Sequence, residues 1–306
     1  MKKVRVRNMK KFGKLLTAAI ALTMLVSGCA EKSTVPEANV PIIEATEAIK
    51  SYKGTTDLSF TAVSGGSKIS MKSVSEIALN EEPFFADIIL NTSSYGVEEV
   101  QNTNSRMILS SEEGTDTVYL LHDGEWNKEV VQPKNFRLGA YQYDVAETAI
   151  LLMEKSPNFQ SFGEEDYNGV KAQKYEGTIP LTSLPDLFKM TGSLSLVGTD
   201  IGDSYYGKCS DQFVTLWVDS NNVIIGYEMD LTDVVTKLFE KLYSENNITD
   251  EAAMIKFESY IAKGTISEYD TEIYTELPEG AVNAKDINGG TVDGTVISSG
   301  TEETEE

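Results

Sequence analysis

Four tight-turn signals, each set between strand-like runs, fix most of what this chain can become. Gly65-Gly66 separates Thr55–Ser64 from Lys68–Leu79, and Asp123-Gly124 separates Thr117–Leu121 from Trp126–Val131. Asn168-Gly169 separates Phe159–Tyr167 from Val170–Ile179, and Ser220-Asn221-Asn222 separates Phe213–Asp219 from Val223–Leu231. Two-residue loops of Gly, Asn and Asp supply the positive φ that a hairpin turn needs, and they join antiparallel neighbours. Parallel neighbours need a long crossover, usually a helix. The spacing therefore predicts consecutive antiparallel pairing, a meander. Phe84–Leu90 adds a strand with Phe84, Ala86, Ile88 and Leu90 on one face, although Phe85 and Ile89 leave the other face partly apolar. Pro83 stands at its start, where a missing N–H costs least. Val97–Ser110 follows the Tyr95-Gly96 turn, and Glu258–Tyr274 reads as a final long strand or two. In Val223–Leu231 the odd positions Val223, Ile225, Tyr227, Met229 and Leu231 share one face, with Gly226, Glu228 and Asp230 opposite and Ile224 as the exception. That is a half-buried strand.

Helical periodicity interrupts the strands at a few places. Pro41 opens a helix whose stripe is Ile42, Ala45, Ile49 and Tyr52, with Gly54 as its stop. Asp144 with Glu147 fits a capping-box-like start, followed by Val145, Ala149, Leu152 and Met153 and ended by Ser156-Pro157. Pro185–Met190 is a short helix with Ser183 as cap and Gly192 as stop. Thr232 and Asp233 start another, with Val234, Val235, Leu238, Phe239 and Leu242 on one side. Glu251–Phe257 reads as a short helix and Ser193 to Lys208 as a long loop. The predicted class is α+β: one large antiparallel sheet with helices inserted between its strands.

The two ends differ from the middle. Residues 1–28 hold seven Lys and Arg and an apolar run from Leu15 to Val26, too short for the roughly 20 residues that a membrane-spanning helix needs. This is a targeting segment rather than part of the fold. Leu25-Val26-Ser27-Gly28-Cys29 matches the lipobox of bacterial lipoprotein precursors. That match implies cleavage before Cys29 and acylation of its sulfur. Each buried methylene then contributes about 0.8 kcal/mol to anchoring. Residues 29–40 read as a tether, 41–280 as the folded domain, and 281–306, rich in Gly, Thr, Ser, Asp and Glu, as a disordered acidic tail. The expected location is the extracytoplasmic face of a cell membrane, held by lipidated Cys29.

Charge narrows the partners. The chain carries 26 basic and 48 acidic residues, net −22. Removal of the first 28 residues leaves 19 basic against 48 acidic, net −29. Such a surface repels nucleic acid. Cys29 and Cys209 are the two cysteines, so an acylated Cys29 leaves Cys209 without an intrachain partner; it reads as a small residue tucked beside a strand.

No catalytic constellation stands out. His122 is the single histidine and sits beside a turn. One histidine and one free cysteine do not make a zinc site. The chain lacks a Gly-x-Ser-x-Gly elbow and a phosphate loop. Its acidic pairs, such as Glu81-Glu82 and Glu164-Glu165, are too many to single one out. Asp200 to Asp203 and Asp219-Ser220-Asn221 offer oxygens for calcium but lack the twelve-residue loop spacing. Neither enzyme activity nor a metal or cofactor is expected.

The layout resembles the LolA/LppX-like half-barrel lipoproteins. The phrases that carry the resemblance are Val118 to Trp126 (VYLLHDGEW), Tyr167 to Tyr175 (YNGVKAQKY), Leu216 to Asp219 (LWVD) running to Tyr227 to Asp230 (YEMD), and Leu277-Pro278-Glu279. The resemblance implies a strongly curved sheet, a half-barrel with helices on its concave face, holding a lipid or other apolar ligand without catalysis. Candidate cavity residues are Ile88, Leu90, Trp126, Trp217, Ile225, Tyr227, Met229 and Phe239. The alternative is a module with a filled core that contacts another envelope protein.

Overall fold

The computed structural model describes residues 36–96, 101–112, 114–132, 140–197 and 202–287. Cys29, the targeting segment, most of the tether, Asp200, and the tail beyond residue 287 lie outside these.

Among the described residues, twelve strands form one open sheet in the order β12-β6-β5-β4-β3-β2-β1-β11-β10-β9-β8-β7. One meander runs β1 Ser51–Ser64, β2 Ser67–Glu81, β3 Phe84–Tyr95, β4 Gln101–Glu112, β5 Thr115–His122 and β6 Glu125–Val130. A second runs β7 Gln160–Tyr167, β8 Val170–Ile179, β9 Gln212–Val218, β10 Ile224–Asp230 and β11 Ile255–Tyr269. The two meet where β1 pairs antiparallel with β11 over most of both strands. β12, Lys285–Asp286, adds a parallel pair at the β6 edge. The expected turns are in place: Asp123 and Gly124 have φ of 50° and 80°, and Asn168 and Gly169 have 53° and 84°. Each offers the left-handed pair that a type I′ hairpin requires.

The α-helices that lie wholly within the described residues are α1 Val40–Glu47, α2 Val145–Lys155, α3 Leu184–Thr191, α4 Thr232–Glu245 and α5 Glu279–Val282. α1, α2 and α4 pack over β1, β10 and β11. The sheet is a half-barrel with helices against its concave face, as expected. Register shows which side chains face them. Tyr52, Gly54, Thr56, Leu58 and Phe60 alternate onto the inner face of β1, opposite Ile266, Gly264, Ala262 and Tyr260 from β11. Tyr227 and Met229 continue that face on β10, and Ile77, Leu79, Ile88 and Leu109 on β2 to β4. Most of these are buried in one cluster with Val145, Ala149, Leu152, Met153, Leu187, Val235 and Leu238 from the helices.

Several expectations are corrected. The first helix ends at Glu47, and Tyr52 and Gly54 belong to β1. Ser51 onward is hydrogen-bonded to neighbours on both sides, β2 and β11, which outweighs continued helical periodicity. Gly54 is no helix stop: a Cβ there would stand 2.8 Å from the Thr265 carbonyl oxygen and 3.3 Å from Val145 Cγ2. The Glu251–Phe257 helix is only a 3₁₀ turn, Glu251–Ala253, and Phe257 lies on β11. Its ring packs edge-on to Phe60 and Phe239, so aromatic packing and strand pairing win over a weak helix. Ser193 to Lys208 is not a plain loop: it contains 3₁₀ turns at Ser195–Val197 and Asp203–Lys208, with Ser193, Leu194 and Tyr206 buried. Ser183 makes no side-chain cap, whereas Gly192 closes α3 with φ of 61°. The folded domain also continues past 280. Ala281 and Ala284 are buried, and β12 extends the ordered chain to the β6 edge.

Candidate functional site

The inner face is the candidate site, and it has two unlike parts. Over β9 to β11 it is filled. Val214, Leu216, Met229 and Ala262 are fully buried beneath helices. α2 is set in place by a polar joint: Asp144 caps it by accepting from Glu147 N–H at 2.9 Å, and the Tyr52 hydroxyl donates to the same Asp144 oxygen at 2.7 Å. Burial pushes the Asp144 carboxyl up to about 6, with the Glu147 N–H and Tyr52 hydroxyl holding it from going higher. Burial likewise pushes the Tyr52 hydroxyl well up, with the Asp144 charge adding to it. α1 is pinned in a similar way. Thr46 Oγ1 donates to the Ile42 carbonyl at 2.8 Å and accepts from Ile224 N–H at 3.0 Å.

Over β2 to β4 part of the inner face is packed as well, by Ile77, Leu79, Ala86, Ile88 and Leu109, and the rest of it, continuing onto β5, is more open. Leu90, Met107, Val118 and Leu120 face inward by register but are only half-buried. Leu90 stands between Ser75 and Ser105, and one row further Ser73 stands beside Thr92. These short side chains spend their hydroxyls on one another: Thr56 with Ser75, and Ser73 with Thr92 at 3.1 Å. Small side chains with paired hydroxyls therefore flank half-buried Leu and Met on this part of the inner face, and the Glu129 carboxylate bounds it on β6, opposite Val118. Polar groups already paired along the sheet carry little desolvation cost when an apolar chain lies over them.

The eight sequence-derived cavity candidates separate accordingly. Ile88, Tyr227 and Met229 are on the inner face and fully packed. Phe239 is buried in a ring cluster with Phe257 at 5.0 Å and Tyr243 at 5.9 Å. Ile225 is the residue skipped by a bulge between Ile224 and Gly226, and Ile224, the apolar exception on the wet face, is buried as well. Leu90 alone of the eight lies on the half-buried part of the inner face. Trp126 and Trp217 are on the outer face. Trp217 is opposite Gly226, stacks on Tyr167 with centroids 4.3 Å apart, and donates to Glu165 Oε1 at 2.5 Å. Gly226 is obligatory there because the Tyr167 ring occupies the place of a Cβ. Trp126 lies under Gly280 with the Arg106 guanidinium 5.9 Å from its ring centre. The sequence reading missed Met107, Val118 and Leu120. In β4 and β5 both faces are apolar (Met107, Ile108 and Leu109; Val118 to Leu121), so period 2 leaves no contrast to read.

Other features stay outside the half-buried part of the inner face. Open depressions of about 260 and 370 Å³ face outward, one along Ser110, Thr117 and Tyr119, the other along Val74, Asn91, Asn102 and Asn104. His122 is exposed at its turn, 3.4 Å from Asp123. The Asp219 carboxylate is taken up by the Asn221 and Val223 N–H groups and by the Tyr269 hydroxyl at 2.6 Å. Among the described residues there is no cluster of three or more His, Cys, Asp or Glu placed to hold a metal. Burial pushes the Cys209 thiol up. No helix among the described residues is long and apolar enough to cross a membrane.

Two antiparallel meanders joined at β1–β11 and packed over helices make this an α+β half-barrel. No family model matches the chain, and no curated protein matches it. Among solved structures it is similar to the lipoprotein LppX of Mycobacterium tuberculosis, at 14% identity over 78% of this chain and 97% of that one, with a TM-score of 0.43. It is also similar to LprF from Mycobacterium bovis, at 11% identity over 79% and 97%, TM-score 0.40. A third is a domain described as an outer membrane lipoprotein-sorting protein from Vibrio parahaemolyticus, at 10% identity over 78% and 94%, TM-score 0.23. None of these superpositions reaches a TM-score of 0.5, and the fold assignment rests on the strand order and register described above.

Proposed function

We propose that this protein is a membrane-anchored, extracytoplasmic, non-catalytic lipoprotein that holds a lipid or other apolar ligand along the inner wall of β2 to β5. The observation that supports this reading is the half-exposure of Leu90, Met107, Val118 and Leu120 on an inner face much of which is packed. Burying such a wall under an acyl chain gains about 25 cal/mol per Å² removed from water. A mobile ligand suits an anchored protein, since Cys29 would keep the groove close to the membrane that supplies it. Native mass spectrometry of the Cys29→Ser chain is the test. Co-purified acyl species, displaced by a fluorescent fatty acid, support the proposal; a bare chain that also fails to bind the probe sinks it.

A second reading, an envelope interaction module with a filled core, is favoured by one observation: four of the eight cavity candidates, Ile88, Tyr227, Met229 and Phe239, are packed against neighbouring side chains. In that case crosslinking in cells captures a defined partner protein, and the Leu90→Asp variant still captures it.

A further inference from the structure

The chain after β11 crosses the sheet rather than leaving it. At one end Asp270 N–H donates to the Ser51 carbonyl at 2.7 Å, Lys50 N–H donates to Asp270 Oδ1 at 2.9 Å, and the Ser51 hydroxyl donates to the Thr271 carbonyl at 2.6 Å. This end is fixed to the start of β1, in the middle of the sheet. At the other end α5 lies on Trp126, Ile287 N–H donates to the Lys128 carbonyl at 3.0 Å, and Lys285 pairs with Glu125 at 3.1 Å. That end is fixed to β6. Between them, residues 272–277 alternate in exposure: Glu272, Tyr274 and Glu276 are exposed, while Ile273, Thr275 and Leu277 are half-buried. This is an extended segment lying on a surface with every second side chain turned inward. The surface is the outer face, because Trp126 shares it with Arg106 and Asp87. Phe85 and Ile108 are buried on that same face, where an uncovered antiparallel sheet would carry wet residues.

Its length leaves almost no slack. Five strand spacings separate β1 from β6. At about 4.8 Å each they span about 24 Å along the sheet, and an extended chain from residue 271 to 279 reaches about 26 Å. We propose that residues 270–287 form a strap that fixes how far the β6 wall stands from β1 and so limits how tightly the half-barrel curls. On the outer side of a curved sheet the path lengthens as the curvature grows. A nearly taut strap there opposes further closure and keeps the inner groove open. Its effect on ligand access rests on the ligand reading above; its mechanical role does not.

Two variants release it. In Gly280→Leu a side chain replaces the hydrogen that now sits against Trp126, where even a Cβ would be 2.7 Å from Cδ1. The Ile273→Ser/Leu277→Ser pair weakens the middle instead and carries the test if the first variant does not fold. The measurement is the distance distribution between spin labels at Thr55→Cys on β1 and His122→Cys beside β6, in the full chain with Cys29→Ser and Cys209→Ser and with no ligand added. Release of the strap broadens the distribution toward shorter distances, and amide exchange in β6 speeds up by at least about tenfold while β1 and β11 keep their rates. An unchanged distribution with unchanged exchange, or a shift toward longer distances, overturns the proposal.

Discussion

The Tyr52 hydroxyl and Asp144 Oδ1 lie 2.7 Å apart although 92 residues separate them in sequence. That bond joins the first strand to the start of α2, and Val145 N–H closes it by donating to the same hydroxyl at 3.1 Å. It is what seats α2 in the sheet. Tyr52→Phe deletes the donor and leaves a buried carboxylate with one partner fewer. A loss of about 1–3 kcal/mol is expected, read as a lower urea midpoint with an unchanged slope.

The same carboxyl sets a pH dependence. Burial raises Asp144 to about 6, against roughly 3.9 in the unfolded chain. Between those values the folded state holds a proton that the unfolded state has released. The contribution of this group to stability is therefore full below about pH 4, declines as pH rises toward 6, and is flat above. Asp144→Asn keeps an acceptor for Tyr52 and the cap. The difference in urea midpoint between about pH 4 and about pH 7 is expected to shrink in that variant relative to the wild type. A variant with the full wild-type difference would contradict the assignment.

Gly264 has a Tyr227 ring where its Cβ would be. The pair sits in register across β11 and β10, on the packed inner half. Gly264→Val is expected to cost about 1–3 kcal/mol through overpacking, and Tyr227→Leu in the same chain to recover part of that loss. Thermal melts of the four chains of this cycle give the coupling directly. Independent, additive losses would mean that the two residues do not share the space.

Cys209 is buried, and its thiol is held up by that burial. Maleimide labelling of the native Cys29→Ser chain is expected to proceed at the rate of opening and to become fast in denaturant. Rapid labelling of the native chain would place Cys209 outside the packed core.

How much of this was legible in the sequence follows from contrast between faces. Hairpins closed by Asp123-Gly124 and Asn168-Gly169 were readable because the turn chemistry is local. β10 was readable where Glu228 and Asp230 oppose Tyr227 and Met229. The boundary between α1 and β1 was not, since Ile49 and Tyr52 suit a helix stripe and a strand face equally, and only pairing with β2 and β11 decides it. The faces of Trp126 and Trp217 depend on register with partners more than one strand away. The strap was hidden because residues 281–287 have the composition of a tail, and two small buried residues, Ala281 and Ala284, hold them to the domain.

The groove is the central claim, and paramagnetic mapping tests it most directly. A spin-labelled stearate is titrated into the Cys29→Ser chain with methyl-labelled Leu, Met and Val. The account predicts that the methyl signals of Leu90, Met107, Val118 and Leu120 broaden first, while those of Val214, Leu216 and Met229 in the packed half stay sharp. Broadening spread evenly over the surface, or none at all, would contradict it.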